Sequence, residues 1–148
     1  MEGAETAIKL ALLSELGTFA GGQTLPLQVS YPNVDFTPPD KSPTAKWLRA
    51  TLFPVPSLSP HVSDEGVNTH YGFLQVDIFY GLQGGEIQGT RIAYSLVSYF
   101  KRGTVIWRDG FGIRVLRTPY VGPAVKDPED WWMIPVRIPY TCFASDPA

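Results

Sequence analysis

What this chain lacks narrows it before any motif is sought. One cysteine, Cys142, in 148 residues excludes an intramolecular disulfide and a cysteine-based metal cluster. Histidine is nearly as scarce, with His61 and His70 alone, and no His/Asp/Glu set stands at ligand spacing, so no metal or other cofactor is expected. Charged residues make up 18% and sum to a net −2, which argues against a surface built from clustered Lys and Arg to grip nucleic-acid backbone. No apolar run approaches the roughly 20 residues of a membrane span. The acidic start Met1-Glu2-Gly3-Ala4-Glu5 is unlike a secretion signal. The expectation is a soluble, cytosolic product with no membrane partner.

What is plentiful points to short strands and ordered loops. The chain has 14 prolines, 14 glycines and 13% aromatics, in a length suited to one domain, 1–148, with a real core. Ala4 to Leu16 reads as a helix, with Ile8, Leu12 and Leu16 on one face and Gly17 as its C-cap. Strands are expected over Leu27–Tyr31, Ala45–Phe53 and His70–Tyr80. In the last, Leu74, Val76, Ile78 and Tyr80 share one face, and Phe73, Gln75, Asp77 and Phe79 the other. Asn33 to Asp40 and Pro54 to Asn68 are too rich in proline and too aperiodic for regular structure. A second helix, about Glu86 to Lys101, carries Ile92, Leu96 and Tyr99 or Phe100 as its stripe. Thr104–Trp107 and Gly112–Arg117 flank Asp109-Gly110, a strong hairpin signal. The order α-β-β-β-α-β-β-β predicts an α+β domain, a mainly antiparallel sheet of about six strands with two helices packed on it.

The last strand, Trp131 to Thr141, is the most telling. Trp132, Ile134, Val136, Ile138 and Tyr140 lie on one parity, and Pro135 and Pro139 on the other. Backbone donors alternate in direction along a strand, so both prolines delete N–H groups on one side. That predicts an edge strand whose proline side is unpaired. The same parity assigns Trp132 to the core and leaves Trp131 as an interface anchor, a frequent role of exposed tryptophan.

Catalytic chemistry finds little support. Gly81-Leu82-Gln83-Gly84-Gly85-Glu86 precedes a helix but lacks the Gly-Lys-Ser/Thr ending and the Gly-x-Gly-x-x-Gly pattern. It reads as a strand-to-helix turn. The pairs Asp64-Glu65 and Glu129-Asp130 are sequence neighbours in loops, and Ser14, Ser95 and Ser98 have no nucleophile-elbow glycines around them. The chain is therefore not expected to be an enzyme. Arg114 and Arg117, with Arg108 at the hairpin, form the densest basic patch, either a solvated strand face or a charged contact strip toward a partner.

Taken in order, Tyr31-Pro32-Asn33-Val34-Asp35-Phe36-Thr37-Pro38-Pro39, Trp47-Leu48-Arg49, Gly72 to Tyr80, Phe100-Lys101-Arg102-Gly103-Thr104 and Trp132 to Tyr140 resemble the tail terminator proteins of long-tailed bacteriophages. The resemblance spans nearly the whole chain and carries no catalytic or metal motif. It implies a virion protein of the tail or neck, assembled in the host cytoplasm. Such proteins form a hexameric ring on the tail tube, end its polymerisation and offer a surface to the head connector, with genomic DNA passing through the lumen.

Physically, a closed head-to-tail ring needs two different faces. An edge blunted by Pro135 and Pro139 would refuse a further tube subunit, because strand addition needs the missing donors. The loop Pro54 to Asn68, with Pro56 and His61, is the expected contact with tube or connector. Asp64, Glu65 or Asp77 are the acidic residues expected to line the channel. The interface candidates are thus Trp131, Pro135, Pro139, Arg114, Arg117, Pro56 and His61. Two other readings compete: another neck or tail-tube subunit, or a small ligand-binding domain using the aromatics as a pocket.

Overall fold

A computed structural model describes residues 3–55 and 70–144. Pro56, His61, Asp64 and Glu65, all singled out from sequence, lie outside the described residues. The first helix, α1 (Ala4–Gly21), runs a full turn past Gly17. It continues because its apolar face does: Phe19 and Ala20 are buried beyond Leu16. Gly17 serves a close approach, since a Cβ there would stand 2.7 Å from the Tyr31 hydroxyl. The cap is Gly22, whose N–H donates to the carbonyls of Thr18 and Phe19.

One sheet receives the helices. Its strands are β1 (Gln28–Ser30), β2 (Lys46–Val55), β3 (His70–Gly81), β4 (Val105–Arg108), β5 (Phe111–Val115), β6 (Tyr120–Val121), β7 (Val125–Asp127) and β8 (Trp131–Ala144), with α2 (Ile87–Tyr99) following β3. The spatial order is β1-β2-β3-β8-β5-β4, with β6 and β7 also on β8. The sheet is mixed, because β1 joins β2 in parallel while its other pairings are antiparallel. This corrects the expected mainly antiparallel sheet of about six strands. A parallel partner cannot be read from a three-residue run, and β6 and β7 are too short to show periodicity. The Asp109-Gly110 hairpin does form, with both residues at positive φ, 49° and 83°, as a type I′ turn requires.

The main core lies between the helices and one face of the sheet. Ile8, Leu12 and Leu16 of α1 and Ile92 and Leu96 of α2 pack on Leu48, Leu74, Val76, Ile78, Val136, Ile138 and Ile113. Trp132 packs against this cluster from its edge, on the face its parity assigned. Gly89 lets α2 press onto β3, since a Cβ there would meet the Tyr80 ring at 2.5 Å.

The proline-marked strand is not an edge. β8 pairs with β3 from His70↔Cys142 to Gly81↔Trp131. Its other side pairs with β7 at 131–133, β6 at 136–137 and β5 at 140–144. The prolines share one parity as expected, yet β8 is paired on both sides. The carbonyls of Pro135 and Pro139 accept from the N–H groups of Gly122 and Leu116, so both prolines do turn their missing donors to the same side. The partner there is broken into three short strands, and the breaks fall at the prolines. An unpaired proline edge as the device that refuses a tube subunit is therefore withdrawn.

Tyr140 is buried on the core face of β8. Its phenol is pushed up to about 12, first by burial and then by nearby Cys142 and Glu5. The unfolded phenol ionises near 10, so folding retains a proton that the unfolded chain surrenders above that pH. This contribution is full below about pH 10 and is lost as pH rises toward about 12. In thermal melts across that window, Tyr140→Phe should fall less steeply with pH than the wild type. Parallel curves would contradict the assignment.

Candidate functional site

The second face of the sheet carries no helix. Alternation along β2, β3 and β8 sends Trp47, Arg49, Thr51 and Phe53, then Tyr71, Phe73, Gln75, Asp77 and Phe79, then Met133, Pro135, Arg137, Pro139 and Phe143 to this side. Register with β8 adds Arg114 of β5, opposite Thr141, and Tyr120 of β6, opposite Arg137. Trp107 of β4 joins through Gly112, which stands opposite both Trp107 and Phe143. Gly112 has a spatial reason, because a Cβ there would lie 2.5 Å from the Phe143 ring.

At one end this face has a small core of its own. Trp47, Phe79 and Trp131 are buried, with Phe36, Ala45 and Met133 packed around them. Trp131 is 2% exposed, so the expected interface anchor is a core residue, covered by the chain's own aromatics. Its ring stands edge-on to Trp47 at 6.0 Å.

The middle of the face is polar and closed on itself. Asp77, 2% exposed, accepts from Nε and Nη2 of Arg49 at 3.1 and 2.9 Å and from Nε2 of Gln75 at 2.9 Å. Gln75 in turn accepts from Nε of Arg137 at 3.2 Å. Asp77 was an expected channel-lining acid. Its burial and pairing correct that: its charge is spent on Arg49.

A regularity runs across the face. Each cation–π contact among the described residues lies on it, and each arginine rests on a phenylalanine that is itself backed by another aromatic ring. Arg49 stands 4.9 Å over Phe79, which stacks on Trp47 at 4.0 Å. Arg137 stands 5.1 Å over Phe73, which stacks on Phe53 at 4.9 Å. Arg114 stands 5.2 Å over Phe143, which meets Trp107 edge-on at 5.4 Å. A guanidinium over an aromatic ring is attracted by the ring's negative face and can still offer N–H donors to an acceptor. Around these triads Phe53, Val55, Tyr71, Trp107, Tyr120 and Val125 are exposed, Trp107 by 59%. Apolar surface of this kind, interleaved with arginine, has the composition of an interface centre.

Of the residues expected at an interface, Arg114, Pro135 and Pro139 fall on this face. Arg117 lies apart, exposed beyond the end of β5 beside Arg102, Leu116 and Thr118. Sequence reasoning passed over Arg49, Arg137, Phe53, Phe73, Trp107 and Phe143. The available signal was the second parity of β3, where two phenylalanines bracket Gln75 and Asp77 on the side away from the core. Among the described residues no group of three or more His, Cys, Asp or Glu is placed to hold a metal, and no helix is long and apolar enough to cross a membrane.

Removing Asp77 tests the network. Asp77→Ala strands the Gln75 amide and part of the Arg49 guanidinium, and Arg49 is 44% exposed and regains water. The expected loss is about 1–2 kcal/mol in chemical denaturation. Arg114→Gln, with a solvated head group, should stay within about 0.5 kcal/mol of wild type. Equal stability of Asp77→Ala and wild type would show that the network contributes nothing to folding.

Comparison with known proteins gives this geometry a family. A solved structure superposes with a TM-score of 0.81 at 21% sequence identity, covering 98% of this chain and 99% of the other, which establishes a shared fold. No curated protein matches the sequence. A family model described as phage tail terminator protein matches residues 7–140, from the second turn of α1 into β8. The chain belongs to the phage tail terminator protein family, and is a structural protein of the phage tail.

Proposed function

We propose that this protein assembles as a ring, six copies by the family resemblance, on the last ring of the tail tube. There it ends tube polymerisation and presents a surface to the head connector, while DNA passes through the lumen without sequence-specific contact. The observation that carries this reading is the family match over residues 7–140. The helix-free face supports it, since a lone domain gains nothing from leaving Phe53, Tyr71, Trp107 and Tyr120 exposed on one side of its sheet. Termination by a proline-blunted edge plays no part.

The test is the mass of the purified protein in solution, measured alone and after adding tail-tube protein. A discrete ring that caps tubes and halts their growth is expected. A monomer that leaves tube length unchanged would overturn the reading.

A further inference from the structure

On the helix-free face Arg114 and Arg137 are exposed cations. Asp77 is saturated, and among the described residues no carboxylate pairs with Arg114 or Arg137. The cleft of about 230 Å³ at the Trp47 end of the face holds Asp127 and Glu129 beside Arg49, so the open positive charge lies at Arg114 and Arg137. From this we infer that the face docks an acidic, apolar surface of another tail protein, whose carboxylates take the donors left open on Arg114 and Arg137. The inference rests on the tail reading above and names the chemistry of one partner.

Three features select that occupant. The guanidiniums are already seated on Phe143 and Phe73, so little side-chain freedom is lost when a carboxylate arrives, and carboxylates match the guanidinium fork two bonds at a time. The exposed Phe53, Tyr71, Trp107 and Tyr120 between and beside them ask for apolar cover, which a phosphate backbone does not supply. A two-fold contact between copies through this face would set arginine against arginine, and a head-to-tail copy seated on it is told apart by the oligomer mass below. A different protein bearing acids among apolar side chains satisfies both requirements at once.

The test uses the full chain and a fluorescent peptide of about twelve residues that alternates glutamate with leucine and tyrosine. Controls are the same peptide with glutamine for glutamate and a mixed-sequence DNA duplex. Wild type should bind the glutamate peptide at least tenfold tighter than the glutamine peptide. In Arg114→Gln/Arg137→Gln that preference should vanish while the far-UV circular dichroism stays native and unfolding stays cooperative. Equal binding of the two peptides by wild type would overturn the proposal, as would DNA displacing the peptide. So would a fall in oligomer mass in the double variant, which would assign the face to a second copy. Because peptide binding is read separately from oligomer mass, a missing ring with a retained glutamate preference would refute the ring alone.

Discussion

The antiparallel ladder between β3 and β8 is the constraint on which the rest depends. It runs from His70↔Cys142 to Gly81↔Trp131 and fixes which side chains face the helices and which face away. A slip of one residue would carry Val76, Ile78, Val136 and Ile138 out of the main core and put Asp77 and Arg137 in their place. The register therefore decides more than stability. It sets Gln75 opposite Arg137 and Asp77 opposite Pro135, and with β2 it sets Arg49 opposite Asp77 and Phe53 opposite Phe73. The closed polar network and the aromatic beds under Arg49 and Arg137 follow from the β2–β3–β8 register, and the bed under Arg114 from the pairing of β5 with β8 and β4.

Such a sheet has two layers of unequal use. The helical side is a conventional core, with Leu12, Leu16, Leu74, Val76, Ile78 and Val136 fully enclosed. The opposite side buries Trp47, Phe79 and Trp131 at one end and Asp77 in the middle, and leaves Phe53, Tyr71, Trp107 and Tyr120 exposed. A tail protein gains from that division. The fold is carried by one face, which frees the other for the contacts proposed for it, where residues such as arginine and tryptophan concentrate binding energy. Holding each guanidinium on a ring before contact lowers the ordering cost of the encounter.

Much of this was legible from alternation alone. The two helices, the strands around Trp47, Leu74 and Ile134, and the Asp109-Gly110 hairpin all follow from period and turn chemistry, and Trp132 falls on the side its parity assigned. Three things were not legible, each for a physical reason. Gly17 looked like a cap, yet Phe19 and Ala20 keep α1 buried for another turn. Pro135 and Pro139 looked like an open edge. Proline excludes donation at its own position only, and a partner broken at Gly122 and Leu116 accommodates it while still donating to the proline carbonyls. Trp131 looked exposed because one face of β8 was taken as the core, whereas Phe36 and Trp47 build a second, smaller core over the other. The arginine–aromatic triads escaped notice because an arginine and a phenylalanine on different strands become a pair only once the register is known.

The most direct measurement is hydroxyl-radical footprinting of the free protein and of the same protein in assembled tails, read at single aromatic residues. The account predicts that Phe53, Tyr71, Trp107 and Tyr120 become protected in tails, because assembly covers the helix-free face. Unchanged labelling of those four residues in tails, with protection confined to helix residues such as Tyr94, would contradict it.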